Sequence, residues 1–526
     1  MFAARISLLA LVAGSLSTFA CAAAHDGELD PETEAAIDEE LTSSTALSRA
    51  LSFRGVVYVS EGTSDSLILS TVRRQTQTMF GALRTSQIGV NSRELKDVDP
   101  AKFVKTKVSV VDPITSTATS MTKVTYTYND LAVVPKSMAR RSALPLALLG
   151  KDYSSKTSRI LTECTSNDSH AQEFSSSIWY VFEPTVAACK TAMAKEQKEI
   201  DAHRAKLTTG QISKLEAERL YVPTTVRLAG DKTNKGASYP EYDRLWSGGV
   251  KPNTLVIGLV NGLIDHGGGA PVDDSGFRDW METIREVQNV RPGMKVTKIE
   301  PAEDLSTVTA NGKTYTGLSF DSAMKWKLDG SGYPAGASFS DRKAIEAAYS
   351  EKLVHHWITL SVPVTVKIGT AAAKKVNLEI LTYFGAESDS APHKKAIKNS
   401  DVFIYNGHSY IGYGPLDPSR FTASDFPASY QILFIDGCVS YNYYEKDYIP
   451  LKQGGTRNLD LVTNGLEAPS WRSGWALGRF LGTLVNGKQA SYLELLESAS
   501  ATDELRVIDG ELDNVYLPSK TPITVQ

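Results

Sequence analysis

The first folded part of the chain contains short runs in which β-branched and aromatic residues alternate with polar ones. Runs of this kind at 55–59, 107–111 and 123–128 are typical of strands. A later stretch, 185–218, is rich in Ala, Lys and Glu and predicts one long polar helix. Strands followed by such a helix predict an α+β domain over residues 51–225.

After residue 370 the pattern changes to strands that alternate with helices. This alternation requires crossover connections and therefore favours a mostly parallel sheet. We expect residues 371–526 to form an α/β domain at the end of a multidomain protein. Its predicted strands are 377–381, 402–405, 432–435 and 460–464, and its predicted helices are 391–400 and 471–485.

Residues 226–370 form a middle region with mixed signals. A strand is predicted at 254–260, and Asn311-Gly312 predicts a tight hairpin turn within 308–315. A second hairpin is predicted from the two runs 358–367 and 375–383. These patterns leave open whether the middle region folds independently.

The length and composition fit this multidomain view. A chain of 526 residues is too long for one hydrophobic core, so two or three domains are expected. Hydrophobic residues make up 42% and charged residues 22%, with a formal net charge of −4. This balance is typical of a folded globular protein and gives no indication of a nucleic-acid partner.

The N-terminus predicts export. Arg5 precedes the apolar stretch 6–19 and the small-residue run 20–24, which is the pattern of a secretory signal over residues 1–24. Cys21 is a candidate for lipidation, and ordinary cleavage that discards it is the alternative. Residues 25–50 predict an acidic linker. We expect a periplasmic, outer-membrane lipoprotein or secreted protein whose only membrane contact is a lipid anchor.

The four cysteines divide into different roles. Cys21 belongs to the signal region. Cys164 and Cys189 flank a run at 177–182 that resembles a strand, and in an exported protein they predict a disulfide. Cys438 is then left without a partner, so it is either a small buried residue or a reactive thiol.

His408 gives Cys438 a chemical context. Each residue follows a short apolar run that ends in Gly, as buried strands of a parallel sheet do. Ligands and catalytic groups collect at the carboxyl ends of such strands. An imidazole and a thiol at that edge form a candidate pair of base and nucleophile.

The order of residues argues against other nucleophile architectures. A serine-hydrolase elbow at Ser409 lacks its second Gly, because Ile411 stands there, and it needs a histidine further along the chain. A papain-like enzyme has its cysteine before its histidine, whereas His408 is the last histidine of this chain.

A second histidine-containing segment, around His266, suggests a different site. It could bind a metal together with Asp265, Asp273 and Asp274, but Asp- and Gly-rich turns are common without one. We therefore expect neither a metal nor a cofactor.

Residues 376–526 resemble the caspase-like cysteine peptidases, which include caspases, metacaspases, clostripain, gingipains and legumain. The segments that carry the resemblance are 403–408, a strand that ends in Gly-His, and 434–438, a strand that ends in Asp-Gly-Cys. The resemblance implies that Cys438 attacks the scissile carbonyl and that His408 assists proton transfer. The backbone around Ser409 and Gly437 would then form the oxyanion hole. Ser409 replaces the family's Gly, which keeps the N–H but adds a side chain.

Other residues near the same edge complete the hypothesis. Asp436, Asn464 and Trp471 are expected to line the pocket for a substrate side chain, and packing is the alternative role for each. The leading hypothesis is an exported cysteine endopeptidase that acts on proteins or peptides. The alternative is an inactive caspase-like protein that binds a ligand at the surface or in the periplasm.

Overall fold

The computed structural model describes residues 40–500 and 504–526 of the chain. Two large sheets account for most of the strands, so the protein is a multi-sheet α/β protein with mixed sheets. Both sheets are long enough to bury substantial apolar faces, and helices cover those faces. Cys21, the predicted signal and most of the predicted acidic linker lie outside the described residues.

The first sheet has seven strands. Its two longest strands, β1 (Ala46–Ser60) and β4 (Ala118–Pro135), pair antiparallel along the whole of β1. The others are β2 (Gly89–Val90), β3 (Val104–Val111), β5 (Ala143–Leu149), β6 (Gln211–Ser213) and β7 (Tyr221–Ala229). The strand order is β5-β7-β1-β4-β3-β6, and β2 pairs with β4.

Seven helices accompany this sheet and together with it form the N-terminal unit. They are α1 (Asp65–Gln77), α2 (Met79–Thr85), α3 (Thr157–Glu163), α4 (Asp168–Glu173), α5 (Ile178–Val181), α6 (Ala187–Arg204) and α7 (Lys214–Ala217).

The second sheet has nine strands and carries the candidate site. Its strands are β8 (Thr254–Gly262), β9 (Lys295–Glu300), β12 (Trp357–Ile368), β13 (Lys374–Ala386), β14 (Val402–Asn406), β15 (Gln431–Asp436), β16 (Leu459–Asn464), β17 (Arg506–Asp509) and β18 (Ile523–Val525). The order is β17-β16-β15-β14-β8-β13-β12-β18, and β9 pairs with β12. The five strands from β16 to β13 are parallel to one another, whereas β17 and β12 run antiparallel to their neighbours.

A separate two-stranded hairpin and eight further α-helices complete the described part of the chain. The hairpin joins β10 (Thr307–Ala310) to β11 (Lys313–Thr316). The helices are α8 (Tyr242–Ser247), α9 (Ser275–Val290), α10 (Phe320–Asp329), α11 (Phe339–Glu351), α12 (Ala391–Lys398), α13 (Ser440–Tyr448), α14 (Ser473–Val485) and α15 (Tyr492–Ala499).

Both faces of the central parallel strands are covered, which explains why β14, β15 and β16 are buried along their full length. On one face, Ile404 and Phe434 pack with residues of α9 and α14. On the other face, Phe403 and Ile435 share a core with the N-terminal unit. The first unit is therefore joined to the second by apolar packing.

Several predictions about the second half of the chain are confirmed. The hairpin around Asn311-Gly312 is present, and β12 pairs with β13 as the second predicted hairpin. Strand β8 lies between β13 and β14, so the nine-stranded sheet extends across the boundary predicted near residue 370. The predicted strands and helices after residue 370 are also found at their expected places.

The N-terminal unit both confirms and corrects the sequence analysis. The disulfide between Cys164 and Cys189 is present. The apolar run between them is the helical turn α5 and not a strand, because a short apolar run fits either structure and here it packs against α2. The predicted helix over 185–218 ends at Arg204, and Gly210, with φ of 86°, forms a turn into β6.

No helix within residues 40–500 and 504–526 is long and apolar enough to cross a bilayer.

Candidate functional site

Four parallel strands end in the same dipeptide pattern at one edge of the nine-stranded sheet. Asn261-Gly262, Asn406-Gly407, Asp436-Gly437 and Asn464-Gly465 close β8, β14, β15 and β16, respectively. Asn406 is paired in register with both Asn261 and Asp436, and Asn464 is paired with Arg506 of β17. A row of polar side chains therefore crosses the sheet at the carboxyl ends of these four strands. We call this row the polar row.

An ion pair holds one half of this polar row. Nη2 of Arg506 lies 2.9 Å from Oδ1 of Asp436, and both side chains are almost fully buried. Nδ2 of Asn464 donates to the same carboxylate oxygen at 2.7 Å, and its Oδ1 accepts from Nε of Arg506 at 3.0 Å. Asp436 and Asn464, expected to line a substrate pocket, are thus engaged with each other and with Arg506 inside the fold.

The other half of the row faces helix α9. Nδ2 of Asn406 donates to Oδ2 of Asp279 at 3.0 Å. Burial raises the pKa of Asp279 to about 7, although the bond from Asn406 opposes this shift. The amide of Asn261 is buried without a hydrogen-bond partner in the described part of the chain.

His408 lies two residues beyond Asn406, in the loop that follows β14. Its Nε2 is 2.7 Å from the carbonyl oxygen of Ile264. Because a carbonyl oxygen can only accept, Nε2 carries a proton, and in the neutral ring Nδ1 is the atom that can accept one. The ring also stacks on His266 with a centroid separation of 5.2 Å. The carbonyl of Ile264 therefore fixes the tautomer of His408.

Cys438 lies two residues beyond Asp436, at the start of α13. It is partly exposed, and its Sγ is 3.9 Å from the carbonyl oxygen of Ala468. Burial raises the pKa of the Cys438 thiol to about 11, and the charge of Glu467 contributes in the same direction. Val439, with φ of 54°, turns the chain sharply into the helix.

The strand register brings His408 and Cys438 to the same edge, but their side chains have different partners. Within residues 40–500 and 504–526, no hydrogen bond joins the imidazole to the thiol. The imidazole faces the segment around Ile264, and the sulfur faces the segment around Ala468. In the conformation described, the thiol is protonated at neutral pH.

Ser409 and Gly437, the two backbone positions expected at an oxyanion hole, are in direct contact. A β-carbon at position 437 would overlap with Oγ of Ser409, so a side chain there would force the Ser409 hydroxyl to move. The Ser409 side chain is buried. The backbone carbonyl oxygen of Ser409 accepts a hydrogen bond from the hydroxyl of Tyr444 at 3.3 Å. The side chain of Ser409 is thus directed at the neighbouring strand end.

Trp471 lies apart from the buried row. Its side chain is 67% exposed, and the guanidinium of Arg472 is 4.6 Å from the ring centroid. Trp471 follows Ala468, the residue that contacts Cys438, by three residues. It is the one predicted pocket residue that is open to solvent.

The segment around His266 uses its carboxylates for local structure. Asp274 caps α9 by accepting from the N–H of Gly276 at 2.8 Å, and Asp265 accepts from the N–H of Ser275 at 2.7 Å. Among the described residues, no group of three or more His, Cys, Asp or Glu side chains is placed to hold a metal ion.

The N-terminal unit covers the thiol side of the edge, which the sequence did not indicate. Nη1 of Arg84, on α2, forms an ion pair of 2.6 Å with Oε1 of Glu467, and the hydroxyl of Tyr180 donates to the same oxygen at 2.8 Å. A β-carbon on Gly89 would overlap with the backbone of Gly465. Contacts from three places in the N-terminal unit therefore fix residues 465–468 beside Cys438.

No protein-family model, curated protein or solved structure matches this chain. A functional assignment must therefore depend on the chain's own residues.

Proposed function

We propose that the protein is an exported cysteine peptidase in which Cys438 is the nucleophile and His408 is the base. One observation carries the proposal: β14 and β15 are adjacent parallel strands, and Asn406 pairs with Asp436. His408 and Cys438 each follow this pair by two residues, so the chain delivers an imidazole and a thiol to one edge. The caspase-like resemblance of residues 403–408 and 434–438 supports the same roles.

The tautomer of His408 supports a base at Nδ1. With the Nε2 proton held by the carbonyl of Ile264, Nδ1 is free to take the thiol proton as sulfur attacks a peptide carbonyl. A thioester would form, and the proton would pass to the departing amine. Water would then cleave the thioester and regenerate the thiol. The backbone N–H of Ser409 and that of Cys438, which belongs to the peptide unit joining it to Gly437, would stabilise the oxyanion.

For Cys438 to react at neutral pH, residues 465–468, which lie beside its thiol, must move. A thiol whose pKa is about 11 is a poor nucleophile at neutral pH. Movement of residues 465–468 away from Cys438 would increase its hydration and remove the nearby charge of Glu467, and both changes lower the pKa. The conformation described is therefore proposed to be a resting one.

The same pKa favours a second candidate, an inactive protein that uses this edge for binding. A panel of fluorogenic peptides, tested on the wild type and Cys438→Ala, separates the two. We expect Cys438→Ala to abolish cleavage, and His408→Ala to slow it by about 10²- to 10⁴-fold. His266→Ala is the matched control and should change the rate much less. Cleavage that persists in Cys438→Ala, or that never occurs, would reject the peptidase.

A further inference from the structure

The seven-stranded sheet of the N-terminal unit contains a cleft between two of its inner strands, β1 and β7. These strands pair at three positions, and the pairing ends at Ser52 and Arg227, although β1 continues well beyond this point. A cavity of about 170 Å³ lies between the strands there, and Val56, Tyr58 and Pro223 are among the residues that line it. A single water needs roughly 10–15 Å³ of such a cavity, so the cleft has room for a larger group.

The residues of β7 explain why the sheet does not close. If the pairing continued in the same register, Pro223 would lie opposite Val56 and Tyr221 would lie opposite Tyr58. Proline has no N–H, so Pro223 cannot donate a hydrogen bond to the carbonyl of Val56. The N–H of Tyr221 instead donates to Oε2 of Glu196 at 3.0 Å, and its carbonyl oxygen also has a side-chain donor. Strand β7 therefore leaves this part of β1 unpaired.

The facing edge of β1 carries backbone groups that are free to pair. The carbonyl of Ser48 accepts at 2.8 Å from the chain just after β7, and that of Arg54 accepts from Oγ1 of Thr224 at 2.7 Å. Since the backbone groups of alternate residues in a strand point to the same side, those of Val56 and Tyr58 also face β7. Within residues 40–500 and 504–526 they have no hydrogen-bond partner. An unpaired strand edge of this kind can accept an added strand.

The charge of the cleft indicates which kind of strand fits. Three cationic side chains line it, those of Lys123, Lys151 and Arg219. Of the described residues that line the cleft, only Glu216 is acidic, and it is already paired with Arg204 at 2.9 Å. An excess of positive charge on the walls attracts an acidic occupant and disfavours a basic one.

We propose that the cleft between β1 and β7 binds an extended acidic segment of a partner polypeptide, which adds to the sheet along Val56 and Tyr58. Backbone hydrogen bonds to β1 contribute affinity, and carboxylates that meet Lys123 and Lys151 give the preference for acidic sequences. The cleft lies in the first sheet, whereas the candidate site lies at an edge of the second. Binding in the cleft therefore does not require the protein to be a peptidase.

The first experiment measures binding by fluorescence anisotropy. The full chain carries Cys438→Ala, so that no probe is cleaved, and it is titrated with three rhodamine-labelled hexapeptides. The first alternates valine with glutamate, the second alternates valine with lysine, and the third is the glutamate peptide methylated on every backbone nitrogen. We expect the first to bind at least tenfold more tightly than either of the others, because only it offers both the carboxylates and the backbone donors.

Each other result would overturn part of the proposal. If the lysine peptide bound equally well, the charge of the cleft would not select its ligand. If the methylated peptide bound equally well, the site would hold carboxylates without adding a strand. If the glutamate peptide did not bind, or if it dissociated a dimer seen by sedimentation velocity, the cleft would not be a site for this partner. The dimer would identify a second copy of the chain as the occupant.

The second experiment assigns the binding to the cleft. Lys123→Gln combined with Lys151→Gln should weaken binding of the glutamate peptide at least tenfold and leave the urea midpoint unchanged. Lys105→Gln is the matched control, because Lys105 lies on β3 of the same sheet, is paired with Asp65 and does not line the cleft. It should change the affinity by less than twofold. An equal loss in both variants, or none in the double variant, would place the peptide elsewhere and refute the proposal.

Discussion

The buried pair of Arg506 and Asp436 gives a demanding test of how the candidate edge is supported. In Arg506→Met, Asp436 keeps the bond from Asn464 but loses its cation. Removal of one partner from a buried ion pair destabilises a protein by about 3–5 kcal/mol. Arg506 also donates to the carbonyl of Ala499 at 2.6 Å, and that bond is lost too. We therefore expect a loss of about 4 kcal/mol in the free energy of unfolding.

Urea unfolding followed by tryptophan fluorescence and by far-UV circular dichroism measures this loss. Agreement of the two signals is needed before a free energy is extracted from a chain with two large sheets. Arg479→Met is the matched control, because Arg479 is exposed and lies near the ring of Trp475. That variant should stay within about 0.5 kcal/mol of the wild type.

A double variant isolates the contribution of the buried charge. Asp436→Asn combined with Arg506→Met should recover at least half of the loss, because the unpaired negative charge is then gone. A loss below about 1 kcal/mol, or no rescue by the double variant, would refute the reasoning.

Three further predictions concern other buried groups. Burial raises the pKa of Asp460 to about 7, so the free energy of unfolding should fall as pH rises from about 4 to about 7 and level off above that. Asp460→Asn should flatten this part of a plot of urea midpoint against pH. An unchanged slope would show that Asp460 does not cause the pH dependence. Because the pKa of Cys438 is about 11, the rate of its labelling by a neutral alkylating agent should increase about tenfold for each pH unit between 7 and 10. A rate that levels off near pH 8 would instead show a thiol with a lowered pKa. The disulfide closes a separation of 25 residues, so Cys164→Ala with Cys189→Ala should cost about 3–4 kcal/mol in the same urea assay, and a loss under about 1 kcal/mol would argue against this account.

The sequence best predicts features that depend only on the residues of a single strand. The apolar runs before His408 and Cys438 predicted buried strands, and the common edge followed from the rule for parallel sheets. The disulfide was also predictable, because the predicted export signal favours pairing of Cys164 with Cys189. The Asx-Gly dipeptides that end four of the parallel strands are a sequence signal for the polar row.

Long-range arrangement could not be read in this way. Nothing around residues 254–262 indicates that β8 lies between β13 and β14, because local periodicity reports a strand but not its neighbours. The sequence predicts that Asp436 lines a substrate pocket. In the fold, its charge is instead neutralised by Arg506, which lies far along the chain. The contact between Arg84 and Glu467 joins two separate units, and no pattern in the sequence connects them.

The central place of β8 has a consequence for how the chain assembles. Both strands that flank β8 are synthesised well after it, and Thr42, near the start of the described chain, bridges to Ile508 near its end. The chain must therefore keep β8 unpaired until most of its length has been synthesised. Contacts so distant in sequence favour slow folding and prolonged exposure to aggregation and proteolysis. C-terminal truncation would leave the segment around Thr42 without its partner strand.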